Sequence, residues 1–176
     1  MKKIDKFDGE YRFLSNFYDA PVWYEGLLYQ NNEAAFQAAK NVADDNDVRR
    51  ELSLSNKPYD KTSQHYRDIK KEVMTAEMRM PYTSMHPSEA KRNGRHCKLR
   101  PDWEEVKYDV MQQIVMNKFY GNKELAQKLI DTGDAVLIEG NTWNDTTWGV
   151  CKGKGENHLG KILMSVRDCL NGKLHL

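Results

Sequence analysis

The sequence predicts an α+β fold, mostly helical with a small β-sheet, in one domain over residues 1–176. Three observations lead there. Apolar residues recur at helical spacing through the second half of the chain, strand-like runs are short and few, and no strand–helix–strand rhythm appears. A doubly wound sheet needs that rhythm, and a chain of this length is enough for one core.

The elements follow in order. Val22 to Tyr29 reads as a hairpin turning at Glu25-Gly26. Asn32 is the expected N-cap of a helix over 33–42. Asp44, Asp45, Asn46 and Asp47 resemble the start of a calcium loop, but the sixth position is Arg49 where the loop needs glycine, so a solvated turn is expected. A charged helical stretch over 61–79 ends at Pro81, and a short helix begins at Pro87 and stops near Gly94. Pro101-Asp102-Trp103-Glu104-Glu105 is a helix start, with Asp102 as cap and Glu105 three residues on, as in a capping box. Trp103, Val106, Val110, Ile114 and Val115 continue as one apolar stripe to Phe119, and Gly121 ends it. Asn122 starts the next helix, with Leu125, Leu129 and Ile130 inward and Gly133 at its end. Ala135 to Glu139 is a short buried strand, and Leu159, Ile162, Leu163, Val166 and Leu170 mark a last helix closed by Gly172.

Composition bounds the function. A net charge of +1 gives no global attraction to nucleic acid or membrane. No apolar run approaches the ~20 residues of a membrane span, and the amino-terminal Met-Lys-Lys-Ile-Asp-Lys lacks the apolar core of a signal peptide. Cys97, Cys151 and Cys169 are too few and too scattered for a disulfide framework, so the cytosol is the expected compartment. His86, His96 and His158 do not have zinc spacing, and no serine or cysteine nucleophile motif is present, which leaves metal-independent chemistry.

Two regions carry candidate chemistry. Glu33, Gln37 and Lys40 stand at i, i+4 and i+7, one polar stripe on a helix otherwise filled by Ala34, Ala35, Ala38 and Ala39. That stripe is either an exposed polar face or a buried lysine beside an acid. In the second case the lysine can be a nucleophile toward carbonyl-like carbon. The other region is the polar loop Trp143-Asn144-Asp145-Thr146-Thr147-Trp148-Gly149, followed by Gly155-Glu156-Asn157-His158-Leu159-Gly160. Asp145 or Glu139 can serve as general acid or base, or brace the loop. Trp148 can stack on a base, and Gly149, Gly153, Gly155 and Gly160 can let backbone amides cradle phosphate at the last helix.

These residues, taken in order, resemble the NADAR domain, or YbiA-like, family. Phe13-Leu14-Ser15-Asn16-Phe17-Tyr18, Pro21, Gly26, Tyr29 and Glu33-Ala34-Ala35-Phe36-Gln37-Ala38-Ala39-Lys40 resemble its opening. Gly94-Arg95, Arg100-Pro101-Asp102-Trp103-Glu104, Met111, Lys118-Phe119, Leu129 to Asp134 and Glu139 continue it. Asp145, Trp148-Gly149, Gly155 to Met164 and Arg167 close it, so that the likeness spans about residues 7–170. It implies an N-glycosidase fold and activity. Some members cleave ribosylaminopyrimidine phosphates of riboflavin biosynthesis, and others remove ADP-ribose from guanine bases of nucleic acid. It implies no cofactor.

The likeness places the family's catalytic lysine and aspartate on Lys40 and Asp145, with Glu33 as a third catalytic candidate. Its substrate contacts fall on Asn16, Phe17, Gln37, Arg95, Trp103, Glu139, Trp148, Gly149 and Asn157. Val150-Cys151-Lys152 departs from the family's usual glycine-containing step, and the charged 61–80 stretch is longer than in compact members.

The expected partner is therefore a phosphorylated ribosyl or ADP-ribosyl compound. The basic cluster Arg92, Arg95, Lys98 and Arg100 beside Trp103 favours ADP-ribose on a base, including ADP-ribosylated nucleic acid. A non-catalytic ADP-ribose or nucleotide-binding module is the rival reading, against which the retained Lys40 and Asp145 argue. A purely structural interaction protein would leave the Trp-Gly loop without a purpose.

Overall fold

The computed structural model describes residues 2–42 and 45–172. Strand β1 (Lys3–Ile4) leads into a 3-10 turn over Gly9–Leu14 and the hairpin β2 (Val22–Tyr24) and β3 (Leu27–Tyr29). Helices α1 (Asn32–Ala39), α2 (Asp45–Leu54) and α3 (Gln64–Val73) follow. After wide helical turns over Met74–Arg79 and a 3-10 turn over Met80–Ser84 come α4 (Pro87–Asn93), α5 (Trp103–Tyr120) and α6 (Lys123–Asp131). The chain closes with β4 (Val136–Leu137), β5 (Gly140–Asn141), β6 (Val150–Cys151) and α7 (His158–Leu170). The fold is α+β and mostly helical. Its strands form three two-stranded ladders: β1 parallel to β4, β2 antiparallel to β3, and β5 parallel to β6.

Helix α5 organises the core. Its apolar stripe buries Val110, Met111, Ile114, Val115 and Phe119 against α1, α6, α7 and the hairpin. Each such side chain withdrawn from water contributes about 1.5–3 kcal/mol. Lys118 on the same helix is also buried, and its Nζ donates to Phe13 O at 2.7 Å and Ser15 O at 3.0 Å. Burial pulls its basicity down to about 7. The lysine thus anchors the turn that carries Asn16 and Phe17.

Several local expectations shift by a residue or change partner. The cap of α1 is Asn31, whose Oδ1 accepts Ala34 N–H at 2.8 Å, while Asn32 already lies in the first turn and turns its amide to Asn16 Oδ1 at 3.2 Å. Helix α1 ends at Ala39, with Lys40 as its C-cap. Asp102 precedes α5 but caps nothing with its side chain, because Arg100 holds both its carboxylate oxygens at 2.6 and 2.8 Å. The charged 61–79 helix begins later, at Gln64, where Ser63 Oγ accepts Tyr66 N–H at 3.1 Å.

The expected turn at 44–47 is instead the start of α2 from Asp45 onward; residue 44 and the side chains of Asp45 and Asn46 lie outside the described residues. Val48 and Leu52, one turn apart on α2, are fully buried and form a separate small core with Tyr66 and Val73 of α3. That i, i+4 apolar pair is the reason the segment is helical.

Candidate active site

Helix α1 is buried on all sides, so the Glu33–Gln37–Lys40 stripe is an interior one. Gln37 Nε2 donates to Glu33 Oε1 at 2.8 Å. Helix α4 can approach because residue 94 is glycine: a Cβ there would stand 1.9 Å from Gln37 Oε1. One turn earlier on each helix, that packing brings Lys91 of α4 toward Glu33 of α1. Burial pushes the Glu33 carboxyl up, the Gln37 hydrogen bond and then Lys91 and Lys40 pull it down, and Asp145 raises it.

Lys40 sits at the end of α1, half-buried, against aromatic rings. Its Nζ is 5.6 Å from the Phe36 centroid and 5.7 Å from that of Trp103. Burial lowers its basicity; Glu33 and the Cys97 thiol oppose that, and Lys91 and Arg95 reinforce it. The C-terminal side of the lysine is fixed by the return segment, since Arg100 N–H donates to Lys40 O at 2.9 Å.

The polar loop brings the other acids. Glu139 follows β4, and its backbone is gripped on both sides. Its N–H donates to Asn157 Oδ1 at 3.0 Å and its carbonyl accepts Val150 N–H at 2.8 Å. Its Oε2 is buried without a hydrogen-bond partner. Burial pushes this carboxyl up to about 7, with Asp145 and Glu33 adding to the rise and Lys91 opposing it. Asp145 Oδ1 accepts Thr147 N–H at 3.1 Å and Trp148 N–H at 2.9 Å, so the aspartate also shapes the loop. The charge of Asp145 thus acts on both Glu33 and Glu139, with Lys91 facing both carboxyls and Lys40 facing Glu33.

Trp148 is part of a wall. Its ring meets Phe36 edge-on at 5.2 Å and lies 5.5 Å from Tyr108 and 6.2 Å from His158. Phe36 in turn lies 4.9 Å from Trp103. A tryptophan so engaged also supports the fold. Trp148→Ala is expected to lower the unfolding free energy by about 2–4 kcal/mol in denaturant titration; unchanged stability would mean that the ring serves ligand alone.

Of the expected site residues, Lys40, Glu33, Gln37, Trp103, Glu139, Asp145, Trp148 and Arg95 converge on this region. Phe17 reaches it through Lys91, whose Nζ is 5.7 Å from its ring centroid. Asn16 lies a layer behind, bonded to Asn32 and to Met111 Sδ. Asn157 is engaged at both ends of its amide, by Glu139 N–H and by Leu137 O at 2.9 Å, and adopts a φ of 56° to do so.

The chain itself takes part of the phosphate cradle expected at α7: the amides of Asn157, His158 and Leu159 donate to the carbonyls of Gly149, Thr147 and Trp148. Gly149, Gly155 and Gly160 are required by backbone packing, since a Cβ on each would stand 2.1–2.2 Å from a carbonyl oxygen. In the basic cluster Arg92 and Arg95 are exposed, whereas Arg100 is taken by Asp102.

Sequence reasoning missed Phe36, Lys91, Tyr108 and His158. They enter through packing between α1, α4, α5 and α7, for which the chain carries no local signal beyond Gly94. Among the described residues, no three His, Cys, Asp or Glu side chains are placed to hold a metal ion, and no helix is long and apolar enough to cross a membrane. Two open grooves, of about 350 Å³ beside Asp68 and Glu72 and about 440 Å³ beside Tyr24 and Arg100, lie apart from the converged charges.

The profile of the NADAR domain matches residues 4–171. The chain belongs to the NADAR domain family. It is 38% identical over 164 residues to N-glycosidase YbiA of Escherichia coli, covering 92% of this chain and 82% of that protein. An N-glycosidase of Nostoc punctiforme is 36% identical over 121 residues, 65% of this chain and 77% of that one. A riboflavin biosynthesis protein of Vibrio vulnificus is 31% identical over 92% of this chain but only 36% of its own length. The NMR structure of E. coli YbiA superposes with a TM-score of 0.68 at 28% identity, covering 100% of this chain and 92% of that one. This NADAR domain therefore shares its α+β architecture with YbiA over its whole length.

Proposed function

We propose that this NADAR domain is an N-glycosidase that hydrolyses the C1–N bond of a phosphorylated ribosyl compound. The observation that carries the reading is an amine of lowered basicity, Lys40, facing the buried Glu33, whose carboxyl in turn senses Asp145, as does the half-buried Glu139. The N-glycosidase names of relatives that align over most of this chain support it.

Breaking the C1–N bond builds positive charge on the sugar, which a carboxylate stabilises, while a proton must reach the departing nitrogen. Asp145 supplies negative charge, while burial holds Glu33 toward its neutral form. Glu139, half-protonated near neutral pH, supplies a proton donor. Water then adds its hydroxyl to C1 and its proton restores the acid. In a second route the sugar ring opens to an iminium at C1, the neutral Lys40 amine adds to C1 and passes a proton to the glycosidic nitrogen, and the base leaves as the Lys40 Schiff base forms. Water then hydrolyses that imine to free sugar and lysine. Phe36 and Trp103 flank the amine and shield it from solvent. Gln37 holds the Glu33 side chain, and Asn157 and Val150 hold the Glu139 backbone.

The substrate placed first is a ribosylaminopyrimidine phosphate. Relatives in Vibrio vulnificus and Zea mays are named riboflavin biosynthesis proteins. The basic cluster that favoured ADP-ribose is weakened by the Arg100–Asp102 pair. ADP-ribose on guanine is the second reading, favoured by the exposed Arg92 and Arg95 at the end of α4. Incubating the protein separately with a ribosylaminopyrimidine phosphate and an ADP-ribosylated guanine oligonucleotide, with products identified by mass, decides between them. Release of neither base rejects the N-glycosidase reading.

The Glu139 assignment makes a pH prediction. An acid raised to about 7 is protonated below that pH and loses its proton above it. The kcat/KM profile should therefore fall on its basic side around pH 7. In Glu139→Gln that limb should vanish, because an amide has no proton to lose, and the rate should drop roughly 100-fold or more. A wild-type basic limb that persists in Glu139→Gln assigns the acid elsewhere.

A further inference from the structure

The loop that carries Asp145 also presents a flat aromatic surface that nothing in the fold uses. Among the four tryptophans, Trp103 is buried and Trp148 is packed into the aromatic wall. Trp23 stands on the β2–β3 hairpin directly opposite Leu28. Trp143 is 60% exposed, between the exposed Thr142 and Asn144, and among the described residues no hydrogen bond or ring contact holds its indole.

A single exposed apolar side chain is ordinary. The setting of this one is not, because its stalk is built. Asn141 closes the base of the tip in both directions: its Nδ2 donates to Asp145 O at 2.7 Å, and its Oδ1 accepts Asp145 N–H at 3.1 Å. Asn144 turns the chain at φ 68°, a left-handed conformation that asparagine tolerates. Below the tip, Asp145 Oδ1 ties down Thr147 and Trp148, and β5 and β6 pair beneath them. Residues 142–144 are thus held out on a fixed frame.

Position completes the case. Two residues of extended chain span at most about 7 Å. Trp143 thus stands two residues from Asp145 on the same clasped loop, within reach of a substrate whose C1–N bond lies at that carboxylate. The group bonded to C1 on the far side of that bond is the leaving ring. Trp148 presents its ring to Phe36, Tyr108 and His158, whereas Trp143 is mostly exposed and meets no other ring among the described residues.

We propose that Trp143 stacks on the leaving ring of the substrate, a planar nitrogen heterocycle, and so makes the site select base-bearing ribosyl phosphates over bare sugar phosphates. The inference rests on the N-glycosidase reading of the same site. Stacking recognises a π-face rather than a hydrogen-bond pattern, so it serves a pyrimidine and a purine alike.

The test is calorimetric binding of two probes, guanosine monophosphate and ribose 5-phosphate, to the wild type, Trp143→Phe and Trp143→Ala. Trp143→Ala should weaken guanosine monophosphate roughly 5- to 150-fold. Ribose 5-phosphate should change by less than about 2-fold, and Trp143→Phe should keep most of the preference for the base-bearing probe. Because the side chain is exposed, the unfolding midpoint should not move, and circular dichroism checks this. Equal weakening of both probes, no weakening of either, or a wild type that does not prefer the base-bearing probe overturns the assignment. The N-glycosidase reading fails separately, when wild-type protein releases no base from either substrate. A preference lost only in Trp143→Ala supports the stacking role whether or not turnover is seen.

Discussion

Lys40→Ala is expected to abolish turnover while the protein stays folded. Lys40 is the C-cap of α1 and only half-buried, so trimming it opens no deep cavity and removes no backbone hydrogen bond. What is lost is an amine whose basicity burial has lowered against the pull of Glu33. The sign matters for chemistry: a depressed lysine offers more neutral, nucleophilic amine at pH 7 than a free one. Lys40→Arg should fail too, because a guanidinium stays protonated and cannot add to carbon. Removing a group that acts directly at the reacting carbon costs several orders of magnitude in rate, so activity should fall at least ~1,000-fold in single-turnover assays, with unfolding shifted by less than about 1 kcal/mol. Borohydride trapping separates the two routes. A covalent sugar adduct on wild-type protein, absent in Lys40→Ala, identifies the Schiff-base route, and near-normal activity in Lys40→Ala removes the lysine from the mechanism.

The parts of this architecture legible in the sequence are those specified by neighbours along the chain. The β2–β3 hairpin needs only Glu25-Gly26 and flanking apolar residues, and α5 needs only its stripe and Gly121. The spacing of Glu33, Gln37 and Lys40 is legible in the same way, as one face of a helix. That this face is interior is not, since burial depends on Gly94 bringing α4 onto Gln37, a contact between residues far apart in sequence. Asp102 shows the converse. A capping pattern is present, yet Arg100 two residues away engages both carboxylate oxygens in a bidentate ion pair, which turns them from the helix amides. The glycines of the last loop look like a phosphate cradle because glycine permits close approach; here the thing that approaches is the chain's own backbone. Helix α2 escaped notice because its acidic start resembles a turn, and only the Val48–Leu52 pair marks it.

Asp145→Asn separates chemistry from scaffolding in the loop. The aspartate has two tasks. Through Oδ1 it accepts Thr147 and Trp148 N–H, which holds the loop, and its charge acts on Glu33 and Glu139. Asparagine keeps a side-chain oxygen to accept both amides, so the loop, the Asn141 clasp and the wall at Trp148 should stay in place. The negative charge is lost, and with it the support for positive charge developing at C1 and the capacity to exchange a proton. A positioned acid or base supplies roughly 100- to 10,000-fold in rate, so kcat should fall by that much with little change in KM or melting temperature. A second signature follows from the neighbours. Asp145 raises the Glu139 carboxyl, so its neutralisation should move the basic limb of the pH profile to lower pH. A residue that only braced the loop would behave differently: Asp145→Asn would then leave kcat near the wild-type value and the pH limb would still move, because that shift depends on charge alone. Asp145→Ala would in that case lose stability by about 1 kcal/mol through the two unsatisfied amides, without a matching loss in saturated rate. Rate measurement across pH for the asparagine and alanine variants distinguishes these outcomes, and a kcat preserved in Asp145→Asn would remove Asp145 from the chemistry and leave it as the loop's brace.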